Sequence, residues 1–312
     1  MTSAPARIAA KRRPADRVFS GLTVGAGTLI LVVLAGVAVF LVAQSIPAFL
    51  VDPAEIKGSP PSFLAYVWPL VFGTIWAAAL ALIIALPLAI GIALFISHYA
   101  PRRLATGLGY TVDLLAAVPS VVFGLWGAKV LAPTIQPLYD WLVTNLGWFP
   151  LFTPPVSGTG RTILTVGIVL AVMILPIITA ICREVFLQTP VLHEEAALAL
   201  GATRWEMIRM AVLPFGRSGV ISATMLGLGR ALGETMAVAM VLSPAAVVSF
   251  VLTSSQNPST IPSNIALNFP EANGIGVNVL IATGLILFAI TLLVNSTARW
   301  VISRRREFSG AN

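Results

Sequence analysis

Six long runs of apolar residues, separated by shorter polar stretches, dominate the pattern of the chain. Each run is long enough for a helix to cross the hydrocarbon core of a bilayer, which takes about 20 residues. The pattern therefore predicts an all-α membrane protein with six transmembrane helices. We place these helices at residues 19–46, 67–96, 107–131, 162–182, 219–242 and 277–301.

The composition supports the same class of protein. Hydrophobic residues make up 57% of the chain and charged residues only 10%, whereas soluble domains carry roughly 25% charged residues. The formal net charge of +7 does not indicate nucleic-acid binding, because the basic residues lie at the ends of the apolar runs and form no basic domain. We therefore expect contact with membrane lipid and none with nucleic acid.

Most basic residues lie on one side of the predicted helices. They are concentrated before the first helix, in the loops after the second and fourth helices, and after the sixth helix. The opposite side carries only Lys57, Lys129 and Arg161. The first apolar run is much longer than the roughly 7–15 residues of a signal-peptide core, so we interpret it as a retained helix. Because Lys and Arg favour the cytoplasmic side, both termini are predicted to be cytoplasmic.

The sequence gives no signal for a metal site, a bound nucleotide or an internal disulfide. Cys182 is the only cysteine, and the two histidines, His98 and His193, fall in different loops. The chain has no Walker A sequence, and the glycines of the segment 227–233 are misspaced for a dinucleotide fingerprint. We expect Gly229 and Gly233 to form a small-residue pair for helix packing.

Two outer loops are predicted, at residues 132–161 and 243–274. The first is rich in Trp, Phe and Pro, which suits a cap at the membrane interface, and the second is rich in Ser, Asn and Pro. Neither loop has metal-ligand or nucleophile–base spacing.

Two charged residues, Arg230 and Glu234, lie near the middle of the fifth apolar run. A charge at a helix centre costs about 2.5–3.5 kcal/mol on insertion scales. Four residues apart on one helix, the two side chains could neutralise each other, although Arg before Glu is the less favourable order. Alternatively, Arg230 lines a path for an anion, since its planar guanidinium stays protonated and matches phosphate oxygens. The residues alone leave both interpretations open.

Three other polar residues have ordinary explanations beside functional ones. Asp113 lies near the predicted cytoplasmic start of the third helix, where it can reach water. Ser120 follows Pro119 and could offer its hydroxyl either to a substrate or to its own helix backbone. Lys129 is near the predicted outer end and can extend its ammonium to the interface.

The longest cytoplasmic loop, residues 183–217 (the EAA loop below), predicts two short helices. Thr189 can cap the first helix, with Pro190 at its first position, and Gly201 ends it. Thr203 and Glu206 have capping-box spacing for a second helix that runs toward Pro214. The element could be a lid on the bundle or a docking surface for a soluble partner.

This loop resembles the EAA motif of ABC importer permeases. The matching residues are Glu195, Ala196, Ala197, Gly201, Leu213 and Pro214, with Ala211 where the family usually has Ile or Val. Gly73-Thr74 and Pro87 also resemble the start of that permease domain. The resemblance implies that the loop forms a coupling helix in a groove of a separate ATP-hydrolysing subunit. The chain would then be a transport subunit, not an enzyme, and would bind no cofactor itself.

Three segments are similar to the phosphate-specific permeases of the PstC type. They are VPSVVFGLWG (118–127), ALGETMAV (231–238) and IALNFPEA (265–272). The resemblance implies the type I ABC importer permease fold and the transport of inorganic phosphate. It also implies that Arg230 and Glu234 take part in transport. We place Ser120 and Thr235 on the substrate path with them.

The same resemblance implies a bacterial inner-membrane location and a set of partners. These are a second permease of the PstA type, two ATPase subunits of the PstB type and an extracytoplasmic phosphate-binding protein of the PstS type. The predicted organisation is a basic tail (1–17), a first transmembrane helix with its outer loop (18–65), the permease domain (66–303) and a second basic tail (304–312).

Two other functions remain as alternatives. One is a permease for another oxyanion, such as molybdate or sulfate. The other is a proton-coupled secondary transporter, in which Glu234 would be the proton-coupling carboxylate. The EAA loop argues against the second, because a proton-driven carrier needs no such docking element.

Overall fold

The computed structural model describes residues 14–56 and 58–303. The tail predicted at 304–312 and most of the tail predicted at 1–17 lie outside the described residues. The helices in the described part are α1 (Pro14–Leu50), α2 (Phe63–Leu94), α3 (Arg102–Ala116), α4 (Ser120–Trp126), α5 (Ala132–Leu146), α6 (Ile163–Leu187), α7 (Val191–Ala199), α8 (Arg204–Met207), α9 (Leu213–Leu232), α10 (Met236–Val241), α11 (Ile261–Asn268) and α12 (Ile275–Ser303). Short 3₁₀ turns lie at Pro53–Glu55 and Phe269–Glu271, and two-residue strands β1 (Pro244–Ala245) and β2 (Asn257–Pro258) pair in parallel.

Six helical stretches in the described ranges are long and apolar enough to cross a membrane. They are Val18–Leu50, Phe63–Tyr99, Ser120–Leu146, Ile163–Leu187, Arg204–Leu232 and Ile275–Trp300. The predicted all-α class and the predicted number of spanning helices are therefore confirmed. The first, second, fourth and sixth stretches coincide with the predicted ones to within several residues, and the third and fifth do not.

The third spanning helix lies later in the chain than predicted. The helix expected at 107–131 is broken between Ala116 and Ser120, because Pro119 cannot donate a backbone hydrogen bond and disfavours helical geometry in the residue before it. Helix α3 is therefore separate. It packs on α6, and Gly109 and Val112 are its buried residues. Residues 132–146, expected in an outer loop, instead extend the helix to Leu146.

Three wide π-helical turns, at Phe95–Tyr99, Gly127–Leu131 and Ile208–Val212, share one sequence feature. In each case a proline follows two residues after the turn, at Pro101, Pro133 and Pro214. A proline ring crowds the carbonyl four residues before it, and at all three sites that carbonyl lies inside the wide turn. The turn makes room for the ring, so that the helix continues through Pro133 and Pro214.

The fifth spanning helix lies earlier in the chain than predicted. Helix α8 passes through the turn at Ile208–Val212 into α9, so the second short helix of the EAA loop is the start of the spanning helix and does not end near Pro214. At the other end, α9 stops at Leu232 rather than near 242. Gly233 follows, and the chain then forms the short helix α10.

The main core lies where α2 and α6 pack along each other. Helix α2 presents a row of fully buried alanines at every fourth position, namely Ala77, Ala81, Ala85, Ala89 and Ala93. Residues four apart share one face of a helix, and small side chains let two backbones approach closely in a membrane. Ile163, Leu170, Ile174 and Ile178 are among the buried residues of α6 in this core. Helices α2 and α6 together form the core against which α9, the helix of Arg230, packs.

Helix α1 lies at the edge of the bundle. It packs mainly along α12, and its only buried residues in the described part are Ser45 and Ala48, near its end. Most of its side chains from Val18 onward are apolar and exposed, as expected for a helix that faces lipid.

Candidate functional site

Arg230 lies in the last turn of α9, at the point where the spanning helix ends. Its side chain is half-buried, and its Nε is buried without a hydrogen-bond partner in the described part of the chain. A guanidinium has five N–H donors and no acceptor, so an unpaired buried donor costs free energy until an acceptor reaches it. Arg230 is therefore a group with unused capacity for an anion.

Glu234 does not neutralise Arg230. Gly233 ends the helix between them, and no ion pair joins the two side chains among the described residues. Instead, Glu234 is buried and its Oε1 accepts a hydrogen bond of 3.0 Å from the backbone N–H of Ala237, in the first turn of α10. The prediction that both residues share one helix is wrong, because glycine is a poor helix former and the carboxylate caps the next helix.

Thr235 and Ser120 lie on two elements that pack together. The Thr235 hydroxyl donates to the carbonyl of Gly233 at 3.2 Å, and its side chain is half-buried. Ser120 is the first residue of α4, which packs against α10 so closely that a side chain at Gly124 would overlap the Cα of Ala237. Within the described ranges, no hydrogen bond joins Ser120 to Arg230, Glu234 or Thr235.

Arg230 also lines a cleft of about 720 Å³ between α6, α9 and α12. The polar side chains in its wall are Ser222, Arg230, Asn295 and Arg299. Sequence reasoning did not place Arg299 in the same cleft as Arg230. The spacing Asn295 to Arg299 was the available signal, because residues four apart share one helix face.

The two glycines next to Arg230 do not pack against another helix. A Cβ at Gly229 would meet no atom within 4 Å, and one at Gly233 would meet only the carbonyl of Gly229, at 3.5 Å. The predicted packing pair is therefore wrong. Ala223 and Gly227 take that role instead: both are buried, and a Cβ at Gly227 would lie 2.7 Å from Cδ1 of Ile178 on α6. Gly229 instead keeps the cleft open beside Arg230.

The EAA loop folds into a helix, a glycine turn and the start of a second helix. Glu195, Ala196 and Ala197 lie on α7, and Gly201 follows the helix with φ +86°, in the left-handed region that glycine favours. The capping box of Thr203 and Glu206 is present, so this prediction is confirmed. Leu213 and Pro214 begin α9.

The cap predicted at Thr189 is wrong. Pro190 holds the capping position of α7, one residue later than expected, and α7 begins at Val191. The hydroxyl of Thr189 is buried and has no partner in the described part of the chain.

Helix α7 has the surface of a docking element more than that of a lid. It contains no buried residue. Several large apolar side chains on or next to it are exposed, namely Val191, Leu192, Leu200 and Trp205, with Leu200 exposed by 90%. Apolar surface of this kind marks an interaction site.

One side-chain contact ties α7 to the end of the second spanning helix. His98 Nε2 lies 3.4 Å from Oε1 of Glu194, and His98 Nδ1 lies 2.7 Å from the hydroxyl of Ser97. Sequence reasoning missed this contact, and a separation of 96 residues leaves no local signal for it.

Segment 243–274, predicted as a loop, is anchored to the bundle by buried polar contacts. The Thr74 hydroxyl accepts the N–H of Ile261 at 2.9 Å, and any side chain at Gly73 would overlap the backbone of Ser259. Asn257 is fully buried and accepts the N–H of Ile163 at 2.9 Å. Gly73 and Thr74 thus form the surface of α2 on which this segment packs.

Known proteins resemble the chain over almost its whole length. The family model described as "binding-protein-dependent transport system inner membrane component" matches residues 85–307. A protein of Mycobacterium tuberculosis named phosphate transport system permease protein PstC 2 is 46% identical over 309 residues, which cover 95% of each chain. A PstC of Mesorhizobium japonicum is 40% identical over 307 residues, with 95% of this chain and 92% of the relative covered.

Solved structures share the fold at low identity. A structure of the MetNI methionine ABC transporter in an inward-facing conformation matches with a TM-score of 0.52 at 17% identity, covering 76% of this chain and 93% of the other. A bacterial ABC transporter that imports alginate matches with a TM-score of 0.54 at 16% identity, covering 93% and 99%. The predicted ABC importer permease fold is therefore confirmed.

Proposed function

The chain belongs to the family of binding-protein-dependent transport system inner membrane components, and we propose that it is the permease subunit of an ATP-driven importer of inorganic phosphate. The names of its relatives support the choice of phosphate. The observation that carries the proposal is Arg230, whose guanidinium has a buried, unpaired donor and no carboxylate partner among the described residues.

In this proposal Arg230 is the main phosphate ligand on the transport path. A guanidinium presents its donors in a planar fork that binds two phosphate oxygens at once, and it stays charged without water around it. The Glu234 carboxylate accepts a hydrogen bond from the N–H of Ala237. This contact keeps the carboxylate from neutralising Arg230. A carboxylate near the path could accept a hydrogen bond from a protonated phosphate oxygen, which sulfate lacks near neutral pH. Thr235 and Ser120 are further hydroxyls on the path.

The EAA loop is the proposed connection to the energy source. Residues Glu195 to Ala197 on the exposed helix α7 would sit in a groove of an ATPase subunit, and ATP hydrolysis there would move α7. Helix α7 packs against α8 and against the wide turn at Ile208–Val212. Because α8 continues through that turn into α9, such a movement would be passed on along α9 to Arg230. The contact of His98 with Glu194 would carry the same movement to α2.

The proposed assembly contains this chain, a second permease of the PstA type, two ATPases of the PstB type and a phosphate-binding protein of the PstS type. It lies in the bacterial inner membrane, with both termini of this chain in the cytoplasm, as the distribution of Lys and Arg favours.

The replacement Arg230→Gln tests the proposal. We expect phosphate uptake by the assembled complex in proteoliposomes to fall at least about 100-fold, because two hydrogen bonds to a charged group contribute roughly 3 kcal/mol or more. We expect assembly with the partner subunits to stay intact, as measured by their co-purification. The matched control is Arg103→Gln, which removes an exposed arginine of α3 and leaves uptake unchanged. Normal uptake by Arg230→Gln contradicts the proposal.

Competition and energy supply separate this function from the alternatives. Arsenate, which has the charge and shape of phosphate, is expected to compete, whereas sulfate and molybdate are not. Better competition by sulfate or molybdate would identify another oxyanion permease. Phosphate uptake by this chain alone, driven by a proton gradient, would identify a secondary transporter.

A further inference from the structure

We propose that the cleft between α9 and α12 is a two-arginine binding site for a phosphate group, in which Arg299 is a second ligand beside Arg230. This goes beyond the transport path proposed above, from which it takes only Arg230. It assigns roles to Arg299, Asn295 and Ser222 and adds α12 to the elements that bind the anion.

The side chains that line the cleft carry positive charge only. Arg230 projects into it from α9 and Arg299 from α12, and none of the described lining residues has a carboxylate. Two like charges in one cleft repel each other, and the repulsion grows where water is partly excluded. An anion between them attracts both guanidinium groups, which offsets this repulsion, and it supplies acceptors to both.

The other polar groups of the cleft suit a phosphate. Asn295 lies one helical turn before Arg299, and its amide can donate two hydrogen bonds and accept others. Ser222 lies two turns before Arg230 on α9. Its hydroxyl donates to the carbonyl of Ser218 at 3.0 Å, and its oxygen can accept a hydrogen bond from a protonated phosphate oxygen. The volume of about 720 Å³ leaves room for the anion and its remaining water.

The other arginines with assigned contacts in the described structure are satisfied by protein groups. Arg183 lies 2.7 Å from a carboxylate oxygen of Glu184 and 3.7 Å from one of Asp113. Arg161 donates to the carbonyl of Met240 at 2.6 Å. Arg230 keeps its buried Nε unpaired, and neither it nor Arg299 has an ion pair within the described ranges. The cleft therefore brings together two guanidinium groups that no carboxylate among the described residues neutralises.

The phosphate group could belong to free inorganic phosphate or to the headgroup of an anionic lipid. Both offer the oxygens that a guanidinium fork binds. Arg299 and Asn295 are exposed on α12, so the cleft is open to either source. The experiment below has one arm for each source.

A single cysteine at Ser222 reports occupation of the cleft. Ser222 is exposed in its wall, and the only native cysteine, Cys182, is buried, so Ser222→Cys combined with Cys182→Ala leaves one thiol. The rate of its reaction with a small neutral maleimide is measured in the assembled complex, because a neutral reagent does not respond to a change in charge. We expect inorganic phosphate, added to the complex in phosphate-free detergent, to slow this reaction at least fivefold.

The lipid arm uses nanodiscs that contain phosphatidylglycerol, without free phosphate. Slowing by inorganic phosphate identifies the free anion, and slowing only in these nanodiscs identifies the lipid headgroup; both results support the site. In either arm the slowing disappears with Arg299→Gln and returns in part with Arg299→Lys, which restores the charge without the fork. Arg103→Gln on α3 is the matched control and keeps the slowing.

Two results would overturn the proposal: a reaction rate that neither source changes, or slowing that persists in full with Arg299→Gln. The outcome is distinguishable from that of the transport proposal. If Arg230→Gln abolishes uptake while Arg299→Gln leaves the protection intact, the transport path stands and the two-arginine site fails. If the protection is lost with Arg299→Gln but Arg230→Gln retains uptake, the site stands and the transport path fails.

Discussion

Arg183 and Arg230 lie near the ends of two spanning helices, and they differ in whether a carboxylate of the chain neutralises them. Arg183, near the end of α6, has carboxylates on both sides, and its guanidinium fills the space that a side chain at Gly109 would need. It joins α3 to α6. Arg230, at the end of α9, has no carboxylate partner among the described residues and keeps a buried donor unpaired.

If the proposed function holds, arginine is structural at one position of this bundle and functional at another. An arginine that is neutralised by its own chain has no capacity left for a ligand, and its removal affects packing. An arginine that the fold leaves unpaired is held at a cost in free energy. Such a cost is expected where binding of an anion offsets it.

The largest effect that separates the two arginines is expected from replacement by lysine. Arg230→Lys keeps the positive charge but loses the planar fork. Phosphate uptake by the reconstituted complex should therefore fall roughly 10- to 100-fold, which corresponds to the loss of one charged hydrogen bond. Arg183→Lys is the matched control and should change uptake less than about twofold. Equal effects of the two replacements would show that only net charge matters and would remove the distinction.

The local elements of the EAA loop could be predicted from the sequence, because their determinants lie within a few residues of each other. Gly201, Thr203 and Glu206 are enough to end one helix and start the next. The spanning helices were also predictable in number, because apolar length alone decides whether a segment can cross a membrane.

The bounds of two spanning helices were not predicted, because the apolar pattern continues across the breaks. Pro119 was the available signal for the first break. The second break could have been predicted from Gly233 and the neighbouring Glu234, which caps α10. The apolar residues on both sides favoured an unbroken helix instead. The apolar run concealed that Arg230 and Glu234 belong to different elements.

Contacts between distant segments were beyond sequence reasoning. Nothing local links Asp113 to Arg183 or His98 to Glu194, because each pair meets only when two helices pack. The same holds for Arg299. In the sequence it is explained as a basic residue at the cytoplasmic end of a helix, and only the packing of α12 beside α9 places it near Arg230. The residues of the candidate site could thus be named in part, but their grouping required the fold.

The two faces of α9 offer a second way to test the same contrast, with a smaller effect on transport. Gly229 faces the open cleft beside Arg230, whereas Gly227 packs on Ile178. Gly229→Leu should reduce uptake about tenfold by filling the cleft, without lowering the melting temperature of the complex; one tenfold step is about 1.4 kcal/mol. Gly227→Leu should lower the melting temperature, since overpacking costs roughly 1–3 kcal/mol.

Uptake assays and thermal melting of the same two preparations decide the matter. If Gly229→Leu lowers the melting temperature as much as Gly227→Leu, the face of α9 that carries Arg230 is a packing surface. The open cleft would then be covered by another part of the assembly.

The smallest effect is expected at the pair Arg183 and Asp113. This pair tests whether an arginine that is neutralised by its own chain is dispensable for transport. The two side chains are 3.7 Å apart, and the Asp113 side chain is 52% exposed, so water screens their attraction. A double-mutant cycle of Arg183→Gln and Asp113→Asn, measured by thermal melting of the complex, should give a coupling energy below about 1 kcal/mol. Phosphate uptake should stay within about twofold of the parent, because a neutralised arginine has no part in binding the anion. A loss of uptake comparable to that of Arg230→Gln would instead place Arg183 on the transport path, and an unpaired donor would no longer be what distinguishes a functional arginine in this bundle.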